Sequence, residues 1–395
     1  MTLSPMMNVT SSSAHRADDM KKLTNRIITS ILLVLTVVAT LWLLLAGWGG
    51  RIDPRTWAPP ALAVLTYPVA VMVVLALAVV MAIVRRWWLL AALGVALLLT
   101  APALRVNMPM HVWHHSDVDS SSTFKLLTFN AMGFYGDTDS TSSSMRYILD
   151  SDADLVVLQE AALEPPGFID HPWVAPMREE IERKYPYYSK GYRDLVILSR
   201  WPYTVYPDST LRQGSGSLDD GEYHFYGKMF DVHIPGHQLR VVDVHMQSIG
   251  LTDGDKRAYR DITRLDGVNN REQMQQVRSS VLTKLAGAFR RRANEAHRLR
   301  EVMDLKAENL ILCGDFNDVP ASYAYWTIRG DDMRDVFAEC GRGFTYTFNR
   351  DKMYFNIDHI LYRGALRAVD IRRDKEGKSD HYPQIVTFEW QDTKE

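Results

Sequence analysis

Toward the C-terminus an apolar run, Leu310 to Cys313, leads into Gly314, Asp315, Phe316, Asn317 and Asp318, and further on stand Ser379, Asp380 and His381. The run reads as a buried strand, on which residues two apart face the same way, so Asp315 and Asn317 are expected to project together. A carboxylate takes a proton from water or holds a hard cation, and a carboxamide orients a phosphate oxygen without adding repulsive charge. Metal-assisted attack on a phosphate ester needs both. Gly, Asp and Asn are also ordinary turn residues, so the weight rests on recurrence of the pattern. The run Phe124 to Phe129 ends at Asn130, Leu155 to Leu158 ends at Gln159 and Glu160, Leu239 to Val244 ends at His245, and Asp358 interrupts the run from Asn356 to Leu361. Glu160 is the natural Mg²⁺ ligand, because magnesium takes one or two carboxylates together with water and substrate phosphate. Asn130 and Asp380 are the candidates for a second ligand.

Asn130, Glu160, His245, Asp315 with Asn317, Asp358, and Asp380 with His381 form a set that resembles the endonuclease/exonuclease/phosphatase (DNase I-like) superfamily, across residues 124–391. The resemblance implies an α/β fold, a four-layered α/β/β/α sandwich, and Mg²⁺-dependent hydrolysis of phosphoesters, with Mn²⁺ as a substitute. It further implies that Glu160 binds the metal with Asn130 nearby and Asp380 beside it, and that Asp315 aligns or deprotonates the attacking water. Asn317 would position water and phosphate, His245 would donate to a phosphate oxygen, and Asp358 would orient His381. Some nuclease members carry an acid two residues after the first Asn, where this chain has Met132. That difference argues against an abasic-site endonuclease.

Ile27 to Trp48 contains no charged residue and is long enough to cross a bilayer as a helix, and the runs 61–84 and 87–104 repeat the pattern. Three transmembrane helices (27–48, 61–84, 87–104) are therefore expected, after a cytoplasmic tail (1–26) and before a linker (106–123) containing His111, His114 and His115. Arg16, Lys21, Lys22 and Arg26 precede the first run and Arg85 and Arg86 join the second to the third, whereas Arg51 and Arg55 lie between the first two. By the positive-inside bias the N-terminus is cytoplasmic. The protein is then integral to the inner or plasma membrane, with a periplasmic or extracellular catalytic domain. These helices contain no charge that would mark a transport pathway.

The formal net charge of −2 shows no basic excess for gripping a long polyanion. The substrate stays open between nucleic acid and a phospholipid or other small phosphodiester; the lipid bilayer is the other expected partner, and no protein partner is legible. A catalytically inactive, membrane-tethered binding module on the same fold is the alternative. The two cysteines, Cys313 and Cys340, are more simply thiols than a pair. Short strands, a hairpin over Glu222 to His245, and helices over Ser144 to Leu149 and Arg178 to Tyr185 suit two packed sheets with helices outside. An insertion at about 250–305 is read as a loop, Leu251 to Asn270, and then a helix. The helix buries Val277, Val281, Leu285, Phe289 and Ala293, and turns Arg278, Lys284, Arg290, Arg291, Arg292, Arg298 and Arg300 outward.

Overall fold

The apolar runs fold as the alternation predicts, into strands that form two six-stranded mixed sheets. In the computed structural model, residues 9–111, 122–134, 141–161, 167–189, 194–206, 227–250, 271–303, 307–350 and 354–391 are described. The strands are β1 (Thr123–Asn130), β2 (Leu155–Gln159), β3 (Tyr187–Tyr188), β4 (Val196–Ser199), β5 (Tyr203–Val205), β6 (Gly227–Ile234), β7 (His237–His245), β8 (Leu310–Asp315), β9 (Arg334–Asp335), β10 (Asp358–Arg363), β11 (Leu366–Arg373) and β12 (Gln384–Trp390). One sheet runs β11-β12-β1-β2-β4-β3 and the other β5-β6-β7-β8-β10-β9. Each contains a single parallel pair, β1 with β2 and β7 with β8, and its other pairings are antiparallel. The expected hairpin is β6–β7, turning at Pro235 and Gly236; its residues 222–226 lie outside those described.

Side chains two apart supply the faces. Phe124, Leu126 and Val157 meet Val241, Ile311, Cys313 and Ile360 between the sheets. The opposite face of the first sheet, with Leu127, Phe129, Val156 and Leu158, is covered by Met145 and Ile148 of α6 (Ser143–Asp150) and Ile181 of α7 (Arg178–Lys184). Val242, Val244, Leu310 and Leu312 of the second sheet pack under a long helix (Arg271–Met303) and under Tyr323–Arg329. Both cysteines are buried free thiols, as expected.

The long helix corrects one expectation. Arg292, assigned to the outward basic face, is 1% exposed and pairs with Asp318 at 3.1 Å. Residues four apart advance 400° around a helix, so a stripe spaced strictly by four drifts by about 40° per step. The buried set is Ala288, Phe289, Arg292, Ala293, Glu295, Ala296, Leu299, Val302 and Met303, which recurs in mixed steps of three and four. The loop expected at 251–270 lies outside the described residues.

The N-terminal region is helical throughout its apolar runs but does not form three equal rods. It comprises α1 (Val9–Trp48), α2 (Pro59–Val64), α3 (Tyr67–Ile83), α4 (Trp87–Leu99) and α5 (Ala101–Asn107). Among the described residues one helix, not the expected three, is by itself long and apolar enough to cross a membrane. Proline is the cause. Pro68 separates α2 from α3, and Pro102 lies just past a 69° bend between α4 and α5, where a missing N–H and ring clash prevent continuation. Tyr67 Oη donates to the Thr100 carbonyl at 3.2 Å, and Trp42 Nε1 to Thr66 Oγ1 at 2.8 Å, so the three segments pack side by side. The core of this bundle is continuous with the layer of Ala296, Leu299, Tyr325 and Trp326 over the second sheet.

The close approach of β7 to β8 gives a test. A Cβ on Gly314 (φ 134°) would lie 2.1 Å from the Val244 carbonyl oxygen. Gly314→Ala is expected to cost about 3 kcal/mol through clash and strained φ together. Gly343→Ala, at φ 64° with nothing within 4 Å, is expected to cost about 1 kcal/mol. Thermal unfolding of the full chain in nanodiscs measures both, and equal shifts would contradict the close approach.

Candidate active site

Strand direction gathers the reactive residues at one end of the sandwich. Parallel β1 and β2 finish together, with Asn130 beside Gln159, and parallel β7 and β8 finish with His245 beside Asp315. Antiparallel β10 begins at that same end, placing Asp358 opposite Asp315. The segment leading into antiparallel β12 brings His381 there as well. It is tied down because Ser379 Oγ donates to the Asn130 carbonyl at 2.7 Å and accepts from the His381 N–H at 3.0 Å.

Asn130, 1% exposed, donates through Nδ2 to Glu160 Oε1 and to Asp315 Oδ2, each at 3.1 Å. Its Oδ1 accepts the Met132 N–H at 3.1 Å. Glu160, Asn317 and Met132 have φ of 51°, 50° and 47°. Left-handed backbone of this kind costs non-glycine residues on the order of 1 kcal/mol each and concentrates where side-chain placement matters.

Asp315 and Asn317 are brought together, though not by strand alternation. The strand ends at Asp315, whose Oδ1 accepts the Asn317 N–H at 2.7 Å in a turn, while Asn317 Nδ2 donates to the Met246 carbonyl at 2.8 Å. Two imidazoles flank Asp315. His381 Nδ1 lies 2.9 Å from Asp358 Oδ2, and its Nε2 is 3.6 Å from Asp315 Oδ2. His245 Nδ1 lies 3.0 Å from Asp194 Oδ2, with Nε2 at 3.6 Å from Glu160 and 4.0 Å from Asp315.

Burial by itself would depress both imidazoles. For His245 the hydrogen bond and charge of Asp194, with Asp315 and Glu160, outweigh it and raise the pKa to about 10. For His381 the charges of Asp358 and Asp315 and the Asp358 hydrogen bond do the same, again to about 10. Burial raises the Asp315 pKa to about 6 against the opposing pull of His381. Asp358 is held below the usual carboxylate range: burial opposes this, but His381 prevails.

Asp380 is the residue the structure sets apart. Its neighbour His381 turns to Asp358, as divergent side chains on adjacent residues should, while Asp380 Oδ2 pairs with Arg350 at 3.2 Å. Among the described residues its ion pair is with Arg350 and not with a cation site at Glu160 or Asn130.

Two groupings offer ligands for a cation. Asp315, Asp358 and His381 place donor atoms within 4.8 Å of one another, but there His381 Nδ1 is already engaged with Asp358. Glu160 and Asp315 converge on one amide nitrogen of Asn130 and supply oxygen ligands, the set a hard divalent ion prefers. The residues fit such an ion.

Asp194 was not found from sequence. The run of β4 draws attention to the residues that follow it, whereas Asp194 precedes β4, which is antiparallel to β2 and so starts at the end where β2 stops. Its Oδ1 accepts the Glu160 N–H at 2.8 Å, so one carboxylate positions both Glu160 and His245. Asp243 also escaped notice. It is fully buried beneath the site, accepts from Gln159 Nε2 at 2.5 Å, and desolvation drives its pKa well above the ordinary carboxylate value. His111 Nδ1 rests 3.2 Å from the Gly341 carbonyl; His114 and His115 lie outside the described residues.

The profile of the Endonuclease/Exonuclease/phosphatase family matches residues 127–381, and one described as a domain of unknown function (DUF8431) matches residues 29–107. No curated protein matches. Similar solved structures include sphingomyelinase C from Streptomyces griseocarneus, at 17% identity and TM-score 0.41 over 67% of this chain and 99% of that one. Truncated TDP2 from Caenorhabditis elegans is similar at 15% identity and TM-score 0.41, covering 68% and 98%. An endonuclease/exonuclease/phosphatase from Beutenbergia cavernae is similar at 17% identity and TM-score 0.45, covering 68% and 72%.

Asp194→Asn removes the charge that keeps His245 protonated. The imidazole should fall toward its ordinary pKa of about 6.5, and turnover at pH 8 should drop by roughly 10²-fold or more. The sign is fixed by the raised value: the wild-type contribution is complete below about pH 6.5 and is lost as pH climbs through about 10. NMR titration of the His245 ring, read beside the pH–rate profile, checks this; an unmoved pKa would remove Asp194 from the account.

Proposed function

The chain belongs to the Endonuclease/Exonuclease/phosphatase family, and on that footing we propose that it is a membrane-anchored, Mg²⁺-dependent hydrolase of phosphodiester or phosphomonoester bonds. The observation that carries the reading is the pair of carboxylate-held imidazoles, Asp358–His381 and Asp194–His245, on either side of buried Asp315.

At neutral pH both imidazoles are charged, so their Nε2 protons form a preorganised pair of donors for phosphoryl oxygens whose charge grows as the attacking oxygen closes on phosphorus. Asp315, with a pKa near 6, is ionised yet basic enough to accept a proton from water. Asn130 and the Asn317 turn hold that carboxylate in one rotamer. A divalent ion held by Glu160, with Asn130 lying nearby, would supply charge neutralisation when bound. The water attacks in line, its proton passes to Asp315, and the phosphate–oxygen bond to the leaving group breaks with no covalent enzyme intermediate.

The membrane reading is supported by α1 and by an apolar surface that water alone does not explain: Val34, Leu41, Val79, Ile83 and Leu98 are all at least 60% exposed. Arg86 Nη2 donates to Asn25 Oδ1, so Lys21, Lys22 and Arg26 cluster with Arg85 and Arg86 at one end of the bundle. The opposite end meets the catalytic domain, where Arg51 lies 4.0 Å over the Trp326 ring and Arg55 reaches His297 at 2.9 Å. With the basic end cytoplasmic, the catalytic domain stands in the periplasm or outside the cell.

The test is hydrolysis of bis-p-nitrophenyl phosphate, p-nitrophenyl phosphate, plasmid DNA and phospholipids by the full chain in nanodiscs. EDTA should abolish turnover, Mg²⁺ or Mn²⁺ should restore it, and Asp315→Ala should lower kcat by about 10³-fold or more. A folded protein that binds Mg²⁺ and cuts nothing would instead indicate a binding module. Alkaline carbonate extraction should leave the chain in the membrane fraction, and its release would refute the anchor.

A further inference from the structure

Between the membrane helices and the catalytic domain lies a cavity of about 150 Å³, lined on one side by Pro68 and Val69 and on the other by Phe344, Tyr354, Phe355 and Asn356. Its rim is apolar and open, since Val69 is 47% exposed and Phe344 and Tyr354 each 51%. Val69 continues the exposed apolar face of α3, so the mouth opens on the same face that the bundle offers to a bilayer.

The inner wall adjoins the catalytic centre. Phe355 pairs with Phe348, whose ring meets the His381 imidazole edge-on at 5.2 Å. Asn356 stands two residues before Asp358, and Thr347 Oγ1 accepts from both the Ile357 and Asp358 N–H groups at 3.0 and 3.1 Å. Asn356 is 8% exposed, and its Oδ1 is buried with no hydrogen-bond partner. An unpartnered acceptor at that depth is costly unless a ligand donates to it.

We propose that this cavity takes the first carbons of the hydrocarbon chain of a membrane-borne phosphoester, with Asn356 Oδ1 accepting from a hydroxyl or amide N–H at the chain's polar end. The proposal rests on the phosphoesterase reading above and narrows its substrate to a lipid. Three observations meet in it: the outer wall belongs to helices that present apolar surface, Phe348 links the inner wall to His381, and that inner wall carries the buried acceptor. A cavity of this volume has room for about six carbons, the size of benzene.

The experiment uses the full chain in nanodiscs and a series of p-nitrophenyl alkyl phosphates from ethyl to decyl. The value of kcat/KM should rise by about fourfold per methylene until the chain reaches about six carbons, and then level off. Val69→Trp, which fills the mouth, should leave the ethyl ester unchanged and erase the gain for hexyl. Partitioning of the longer esters into the bilayer would raise wild type and variant alike, and that outcome overturns the proposal, as does a flat series. Asn356→Leu should abolish any preference for a 2-hydroxyhexyl over a hexyl ester; a preference that survives removes Asn356 from the site. Thermal stabilisation by hexyl methylphosphonate, compared with ethyl methylphosphonate, reads occupancy without turnover. Chain-length-dependent stabilisation lost in Val69→Trp upholds the cavity even if no ester is cleaved, and its absence in wild type overturns the cavity even if the esters are cleaved.

Discussion

The register at Asp315 is the constraint from which the site follows. In the second sheet this residue has His245 beside it on the parallel strand and Asp358 beside it on the antiparallel one. A slip of one residue in either ladder would carry the functional side chains to the wrong face or the wrong neighbour. The register is therefore specified by the whole interlayer core, Val241, Ile311, Cys313 and Ile360 included, which must face inward together. The strain of the Glu160 and Asn317 turns is borne by that core. Catalytic geometry and sheet packing are one problem here, solved once.

Charge then organises what the register has collected. Glu160, Asp194, Asp315 and Asp358 surround two imidazoles in a partly desolvated space, an arrangement that would repel itself were the histidines neutral. Each histidine has one carboxylate on Nδ1 as holder and faces Asp315 with its Nε2, so the two mirror each other about a single acid. Asp243, buried beneath them with its pKa raised by desolvation, accepts a hydrogen bond from Gln159.

Much of this was legible in the chain. Apolar runs ending in Asn130, Glu160, His245 and Asp315 gave both the strands and the reactive set, because a parallel strand delivers its C-terminal neighbour to the site. Asp194 was hidden for the converse reason: an antiparallel strand delivers the residue before it, and strand direction is not written in local pattern. Arg292 was misplaced by a periodicity taken as four when a helix alternates three and four. The N-terminal apolar region showed its composition but not its breaks; Pro68 and Pro102 interrupt runs whose hydropathy is seamless. The Asx-type turn that joins Asp315 to Asn317 could be read as either strand or turn, and the turn won because φ at Asn317 is positive.

The contact between bundle and domain carries a practical consequence. Gly50 lies so near the Ala321 backbone that a Cβ would fall 1.8 Å from its carbonyl oxygen, and Trp326, 7% exposed, is capped by Arg51. Ala296, Leu299 and Trp326 share one apolar cluster with Leu43, Val71 and Leu93 of the bundle. A truncation made at the linker, the obvious way to obtain a water-soluble enzyme, would strip that cover and leave a greasy facet on the helical layer above β7 and β8. Producing a tractable fragment is then a matter of resurfacing that facet with polar side chains, not of choosing a better cut.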